Sequence, residues 1–256
     1  DFIKAGGIES CAPLKSNLKL YVEYSNETWN ENFPQFQHIY KEGLALNLDT
    51  EKYKAAFKYH AWAACRMWDE VEAVFGKESS RIYKVDAFQP SYSQVEYHLE
   101  ILRNPKYNKN GTLPDVFSCN AYFGNSLKTG ATPDIMTRLI NDLNTVRVPK
   151  WKGVREAVDA AKKADGRNYL FYAYEGGQHV WKKGADVCNR DPKIYGVYQK
   201  WLAECEKWFD GVAHFQHGGE HSDGFAWGVV ENTTGAGYDL SQPTIEKTIA
   251  NYPSLC

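Results

Sequence analysis

Short stretches with a strand pattern alternate along this chain with longer stretches of helical periodicity. In the first strand pattern, Leu18, Leu20 and Val22 occupy every second position, as in a half-buried strand. Further strands are predicted at residues 81–88, 115–122, 168–174 and 211–217. Helices are predicted at residues 51–75, 92–103, 133–146, 151–165, 192–209 and 243–250. This alternation favours an α/β fold with a parallel sheet, because parallel neighbours are joined by crossover helices.

The helix over residues 51–75 has the clearest boundary signals. Asp49 and Thr50 are typical of a helix start, and Gly76 is typical of a stop. Its apolar residues recur at helical spacing and predict a side that faces the core. They are Trp62, Cys65, Trp68 and Val71. His60 lies in the same helix and is interpreted as a core or surface histidine.

Composition narrows the function classes. The chain has 256 residues, 43% of them hydrophobic, which is enough for one substantial core. The formal net charge of −2 gives no basic face for nucleic acid. No apolar run approaches the roughly 20 residues that span a bilayer. The 8 Trp, 17 Tyr and 12 Phe are numerous, and aromatic rings both fill cores and stack on flat ligands such as sugars.

Cysteines and glycosylation sequons indicate a secreted protein. The 6 cysteines are widely spaced. They could form disulfides or remain free thiols, and their spacing matches no zinc motif. Asn-X-Thr sequons begin at Asn26, Asn110 and Asn232. Asn110 lies in a Pro/Asn/Gly loop and is the best candidate for glycosylation, with Asn232 as a second candidate. The sequon at Asn26 adjoins a candidate site, where a glycan would block access.

Two glutamates mark the candidate chemistry. Glu27 and Glu175 each follow a predicted strand, and the carboxyl ends of parallel strands lie at one edge of a sheet. Glycoside hydrolysis needs such a pair, since one group protonates the leaving oxygen while the other stabilises or attacks the sugar. Gly176 and Gly177 predict a tight turn beside Glu175.

The segments around both glutamates resemble a known family. Tyr24-Ser-Asn-Glu-Thr-Trp29 and Tyr172-Ala-Tyr-Glu-Gly-Gly177 are similar to the strand-4 and strand-7 signatures of retaining (β/α)8 glycoside hydrolases of clan A, which include cellulases and mannanases. The first segment also resembles secreted proteins of this clan that are labelled cellulose-binding or glycosidase-like. The resemblance implies that the chain carries strands 4–8 of a TIM-type barrel. Residues 1–256 would then form one catalytic-type domain, incomplete on its N-terminal side. Strands 1–3 would be supplied by a second chain or fragment, or this chain would be part of a longer protein that contains them.

The same resemblance implies roles for individual residues. Glu27 matches the acid/base and Glu175 the nucleophile, while Asn26 matches the asparagine that binds the sugar 2-hydroxyl. Tyr122 matches the aromatic residue that holds the nucleophile, and Trp227 the aromatic platform beneath the sugar. Three further residues are candidate substrate contacts at the same rim without a family counterpart: Trp29, His179 and His217.

The predicted function is therefore a secreted retaining glycosidase acting on a β-linked polysaccharide or oligosaccharide, without a cofactor. Two alternatives remain open. One is a catalytically inactive carbohydrate-binding or structural glycoprotein, and the other is transglycosylation by the same two glutamates. His214, His217 and His221 cluster with acidic residues, but their spacing fits no standard metal site, and no metal is predicted.

Overall fold

The computed structural model of the protein describes residues 14–181 and 183–228. It has a mixed α/β fold with a five-stranded sheet in the order β1-β2-β3-β4-β5. The strands are β1 (Leu20–Glu23), β2 (Ile82–Ala87), β3 (Val116–Phe123), β4 (Leu170–Gln178) and β5 (Gly211–Val212). The pairs β1–β2, β2–β3 and β4–β5 are parallel. The predicted α/β class with a parallel sheet is confirmed, and the (β/α)8 barrel stays a prediction.

Helices separate the strands along the chain. They are α1 (Pro34–Ala45), α2 (Lys52–Phe75), α3 (Tyr92–Leu102), α4 (Ile135–Asp142), α5 (Val148–Asp165), α6 (Ala185–Arg190) and α7 (Ile194–Trp208). The boundaries of α2 agree with the prediction. The Asp49 carboxylate accepts the backbone N–H groups of Thr50 and Glu51, and Gly76 ends the helix with a φ of 55°. The sequence did not predict α1 or α6, and the helix predicted at 243–250 lies outside the described residues.

One predicted helix break does not occur. The sequence predicted two helices separated at Pro149, but a π-helical turn (Leu143–Arg147) joins α4 directly to α5. The Val148 amide donates to the carbonyl of Leu143, five residues earlier. Such a wider turn changes the hydrogen-bond spacing just before Pro149, so the missing proline N–H does not interrupt the helix.

The strand that carries Glu175 is longer than predicted. The prediction ended it at residue 174, whereas β4 continues to Gln178 and includes Glu175, Gly176 and Gly177. Glycines often end a strand, but here they permit close packing: a Cβ on Gly176 would lie 2.9 Å from Ala121 Cβ. The fifth strand is shorter than predicted, since only Gly211–Val212 pairs.

The chain divides into two compact units. Unit 1 contains the described residues within 1–89, 93–118 and 160–169, and unit 2 contains those within 90–92, 119–159 and 170–256. In unit 1, α1 packs on α2, where a Cβ on Gly43 would lie only 2.2 Å from the Ala55 carbonyl oxygen. Trp68 is fully buried, and its indole N–H donates to the Val22 carbonyl. Helix α2 is thereby bonded to β1.

Unit 2 has an aromatic core. Phe123, Tyr198 and Trp201 form one ring cluster, and the Trp201 indole donates to the Ala121 carbonyl at 2.7 Å. The rings of Phe171 and Phe209 are tilted by 30° to each other, with centroids 4.5 Å apart. The high aromatic content therefore contributes substantially to the core, as aromatic side chains commonly do.

The described cysteines are unpaired, and no described helix could span a membrane. Four cysteines in the described residues are buried free thiols, so no disulfide forms among them: Cys65, Cys119, Cys188 and Cys205. Cys11 and Cys256 lie outside the described residues. Within residues 14–181 and 183–228, no helix is both long enough and apolar enough to cross a bilayer.

Candidate functional site

Glu27 lies in a strained turn just after β1. Its φ is +44°, and that of Ser25 is +65°. Residues other than glycine rarely adopt positive φ values. The Glu27 carboxylate accepts a hydrogen bond of 3.0 Å from the Asn30 side chain. The Asn30 amide also donates to the Glu27 carbonyl at 3.0 Å. The surroundings thus hold Glu27 in a backbone conformation of the kind that accumulates at functional sites.

The neighbours of Glu27 differ in exposure. Asn26 is exposed and Glu27 is half-buried, so both are accessible to a ligand. Trp29 lies in the hydrophobic core with 9% exposed. Its predicted part in substrate binding stays a prediction.

A buried polar network begins at Thr28, the residue after Glu27. Thr28 Oγ1 lies 3.0 Å from His60 Nδ1, and His60 Nε2 lies 3.5 Å from Asp86 Oδ1. On the other side of Asp86, His98 Nδ1 lies 2.9 Å from Oδ2. These four side chains, here called the histidine–aspartate network, come from the β1 turn, α2, β2 and α3. The sequence left His60 as either a core or a surface histidine, and at 4% exposed it is a core residue.

Asp86 is an ionised group inside this network. Burial by itself would raise its pKa, but His98 and His60 hold the pKa well below its usual range. The carboxylate is 1% exposed, and buried charges persist only when paired and hydrogen-bonded. Asp86 therefore keeps both histidine rings in fixed positions beneath the Glu27 turn.

In unit 2, three of the predicted substrate contacts form one aromatic cluster. Tyr122 and His179 meet edge to face with centroids 4.4 Å apart, and His179 lies 5.6 Å from Trp227. Phe215 contacts both Tyr122 and Trp227, at 6.4 and 5.9 Å. Phe225 lies 5.0 Å from Trp227. Phe215 and Phe225 are 36% and 53% exposed, so the cluster presents ring surface to solvent.

The segment that carries Trp227 is tied to the rest of unit 2 by buried amides. The Gln178 side chain donates to the Ala226 carbonyl at 3.1 Å and to the Asn189 side chain at 3.0 Å. Asn189 donates to the same Ala226 carbonyl. Gln178 is also the last residue of β4. Hydrogen bonds therefore join the strand that carries Glu175 to the segment that carries Trp227.

A half-buried histidine, His214, lies against the same strand. A Cβ on Gly177 would come within 2.7 Å of His214 Nε2, and Gly177 has a φ of +127°. The Gln178 N–H donates to the Tyr198 hydroxyl at 3.0 Å, which in turn lies 3.4 Å from His214 Nε2. The lone pair of a neutral imidazole accepts from this hydroxyl. Burial, aided by nearby His217, lowers the pKa of His214 to about 4.

We expect this histidine to make unit 2 sensitive to acid. The unfolded chain binds a proton at His214 as the pH falls through about 6.5, whereas the folded protein binds it only near a pKa of about 4. The free energy of unfolding should therefore fall by up to about 3 kcal/mol between pH 6.5 and 4. Denaturant titrations across this range should give a flatter curve for His214→Gln. His38→Gln, at an exposed histidine of α1, is the control and should keep the wild-type dependence; equal slopes for all three proteins would contradict the expectation.

The remaining predicted residues lie apart from these groups. His217 is exposed after β5, and no ring contact among the described residues links it to the aromatic cluster. Asn110 is exposed, and its side chain donates to Asp69 at 2.7 Å. Asn232 lies outside the described residues.

Sequence reasoning missed several residues of these two regions. Thr28 was considered only as part of a sequon and of the glycosidase-like segment, and Phe215 and Phe225 were not singled out. One available signal was Asp86, a carboxylate within the otherwise apolar end of a predicted buried strand. Such a residue requires buried partners, and histidines on the flanking helices are natural ones.

The fold and these contacts define a mixed α/β protein with a parallel sheet, a strained glutamate turn in unit 1 and an exposed aromatic cluster in unit 2. Within the described part of the chain, no group of three or more His, Cys, Asp or Glu side chains is arranged to hold a metal ion. Comparison with protein-family models, curated proteins and solved structures gave no match to this chain.

Proposed function

We propose that the protein is a secreted retaining glycoside hydrolase that cleaves a β-linked polysaccharide such as cellulose, β-glucan or mannan. Glu175 attacks the anomeric carbon and forms a glycosyl-enzyme, while Glu27 donates a proton to the departing glycosidic oxygen. The Glu27 carboxylate then takes a proton from water, which hydrolyses the intermediate. Asn26 binds the sugar 2-hydroxyl beside Glu27.

The observation that carries the proposal is the aromatic cluster of unit 2. Tyr122, His179 and Trp227 are far apart in the sequence, yet their rings meet. Their neighbour Gln178 lies on the same strand as Glu175. Sugars bind to aromatic surfaces through their apolar C–H faces, and exposed rings of Phe215 and Phe225 extend such a surface.

The strand order supports a barrel as the frame. Strands β1 to β5 follow one another in sequential order, as in a (β/α)8 barrel, whereas doubly wound sheets reverse their order at a switch point. At the first strand, Leu18 and Tyr21 are each 46% exposed. We propose that strands 1–3 of such a barrel, whether they belong to a longer form of this chain or to a second chain or fragment, cover these apolar side chains.

The stereochemistry of cleavage tests the proposal. Purified native protein would be assayed on β-glucan, cellulose and mannan oligosaccharides, with the first-formed anomer read by NMR. Retention of the β configuration is the expected result. Inversion, or no turnover on any substrate in the native assembly, would sink the proposed mechanism. Transglycosylation would be recognised by longer oligosaccharides among the products.

A second candidate function is sugar binding without turnover. It is favoured by the exposed aromatic cluster, which needs no carboxylate to bind a sugar, and by the exposed sequon residue Asn26. Glycopeptide mapping separates the two candidates, since a glycan at Asn26 would cover the residue next to Glu27. Oligosaccharide binding with no turnover, equal in wild type and Glu175→Gln, would favour the binding protein.

A further inference from the structure

We propose that the histidine–aspartate network of Thr28, His60, Asp86 and His98 positions Glu27 for proton donation. Its members do not touch the substrate and act through the backbone that Thr28 shares with Glu27. This inference rests on the proposed function of Glu27. It gives a role to four buried polar side chains that apolar residues could replace in packing the core of unit 1.

Burying these groups is costly, so their presence calls for a reason. His60, Asp86 and His98 are 4%, 1% and 5% exposed. Replacing buried ionic sets by apolar residues of similar volume is often neutral or stabilising. In some proteins such sets specify one conformation rather than add stability. The end of this one is Thr28, adjacent to a glutamate in a strained conformation.

The hydrogen-bond directions can be assigned from the carboxylate, which only accepts. Asp86 therefore requires the proton of His98 to be on Nδ1, and its negative charge 3.5 Å from His60 Nε2 favours the His60 tautomer that carries the proton there. With its proton on Nε2, His60 presents a lone pair at Nδ1, where the Thr28 hydroxyl donates across 3.0 Å. Each member thus fixes the tautomer of the next, as in outer shells that orient catalytic and metal-binding groups.

The network restrains the turn that contains Glu27. Glu27 has a φ of +44°, which the chain would leave unless held. Asn30 holds its carboxylate and its carbonyl, and the network holds the next residue through Thr28. Loss of this anchor would let the carboxyl group shift, and a displacement of about 1 Å can cost about 100-fold in rate.

The test compares Thr28→Val, which keeps the branched shape but loses the hydroxyl, with Thr28→Ser, which keeps the hydroxyl. We expect Thr28→Val to lower kcat about 10- to 100-fold with little change in KM, and Thr28→Ser to restore most of the rate. His38→Gln, at an exposed histidine of α1, is the control and should keep the wild-type kcat. Wild-type kcat in Thr28→Val would overturn the inference while leaving the proposed function intact.

Two measurements need no turnover and separate this inference from the proposed function. In wild-type protein, ¹⁵N NMR should show His60 with its proton on Nε2. Amide exchange at Asn30, whose N–H is bonded to Glu27, should quicken at least 10-fold in Thr28→Val. If wild type is inactive on every substrate, these two readouts still decide whether the network anchors the turn. A proton on His60 Nδ1, or unchanged Asn30 exchange, would refute it.

Discussion

Replacing Glu175 by Gln is expected to lower kcat by at least about 10³-fold, because an amide cannot form the glycosyl-enzyme. The amide has nearly the same size as the carboxylate, and Glu175 lies within β4 rather than at a loop tip. The fold should therefore survive, which thermal unfolding would check. Glu156→Gln, at an exposed glutamate of α5 in the same unit, is the matched control and should keep full activity.

A chemical rescue would identify the role as well as the importance of Glu175. In Glu175→Ala, azide can occupy the space of the lost carboxylate and attack the anomeric carbon of an activated substrate in a single displacement. The product would be a glycosyl azide of inverted configuration. Full activity in Glu175→Gln would exclude this residue as the nucleophile, and a rescued product of retained configuration would assign it to the acid/base role instead.

Replacing Glu27 is expected to have an effect that depends on the leaving group. Glu27→Gln removes the proton donor, so hydrolysis of natural glycosides should slow by about 10²- to 10⁴-fold. Aryl glycosides whose phenol leaves readily as an anion should form the intermediate at nearly the wild-type rate. Glu31→Gln, at an exposed glutamate of the following turn, is the control. A uniform loss on both substrate types would argue against proton donation by Glu27.

The backbone of Glu27 adds a second readout. A non-glycine residue at positive φ costs about 1–2 kcal/mol, and glycine avoids this cost. Glu27→Gly and Glu27→Gln both lose the carboxylate that accepts from Asn30. The glycine variant should nevertheless be at least as stable as the glutamine variant in denaturant titrations, although it lacks the proton donor. A clearly less stable glycine variant would show that the turn does not impose this cost.

The sequence predicted those elements whose signals are local. Helix α2 is bounded by Asp49 and Gly76, and both act at the positions expected of them. Helix α1 has weaker signals: the residue before it, Phe33, makes no side-chain cap, and Pro34 at the first helical position is its main start signal. Its position depends on contacts distant in sequence, with Phe36 and Ile39 packed against Ala56. Tertiary packing of this kind is not visible in a local pattern.

The residues of the candidate site also fall into two groups: those that a local segment of sequence indicates, and those that only the fold brings together. Glu27 and Glu175 could be proposed because each stands in a recognisable segment of sequence. Thr28, His60, Asp86 and His98 could not, because each alone has an ordinary interpretation and their meaning comes from four elements meeting. The end of β4 was mispredicted for a related reason. Gly176 and Gly177 read as a turn, whereas their missing side chains make room for Ala121 and His214.

The buried thiols allow the local unfolding of each unit to be followed separately. Burial raises the pKa of Cys65 in unit 1 and of Cys188 in unit 2 to about 12. Since the thiolate is the reactive form, an alkylating reagent at neutral pH modifies these residues mainly when the surrounding structure opens. Labelling followed by peptide mapping would therefore time the two openings separately within one native chain.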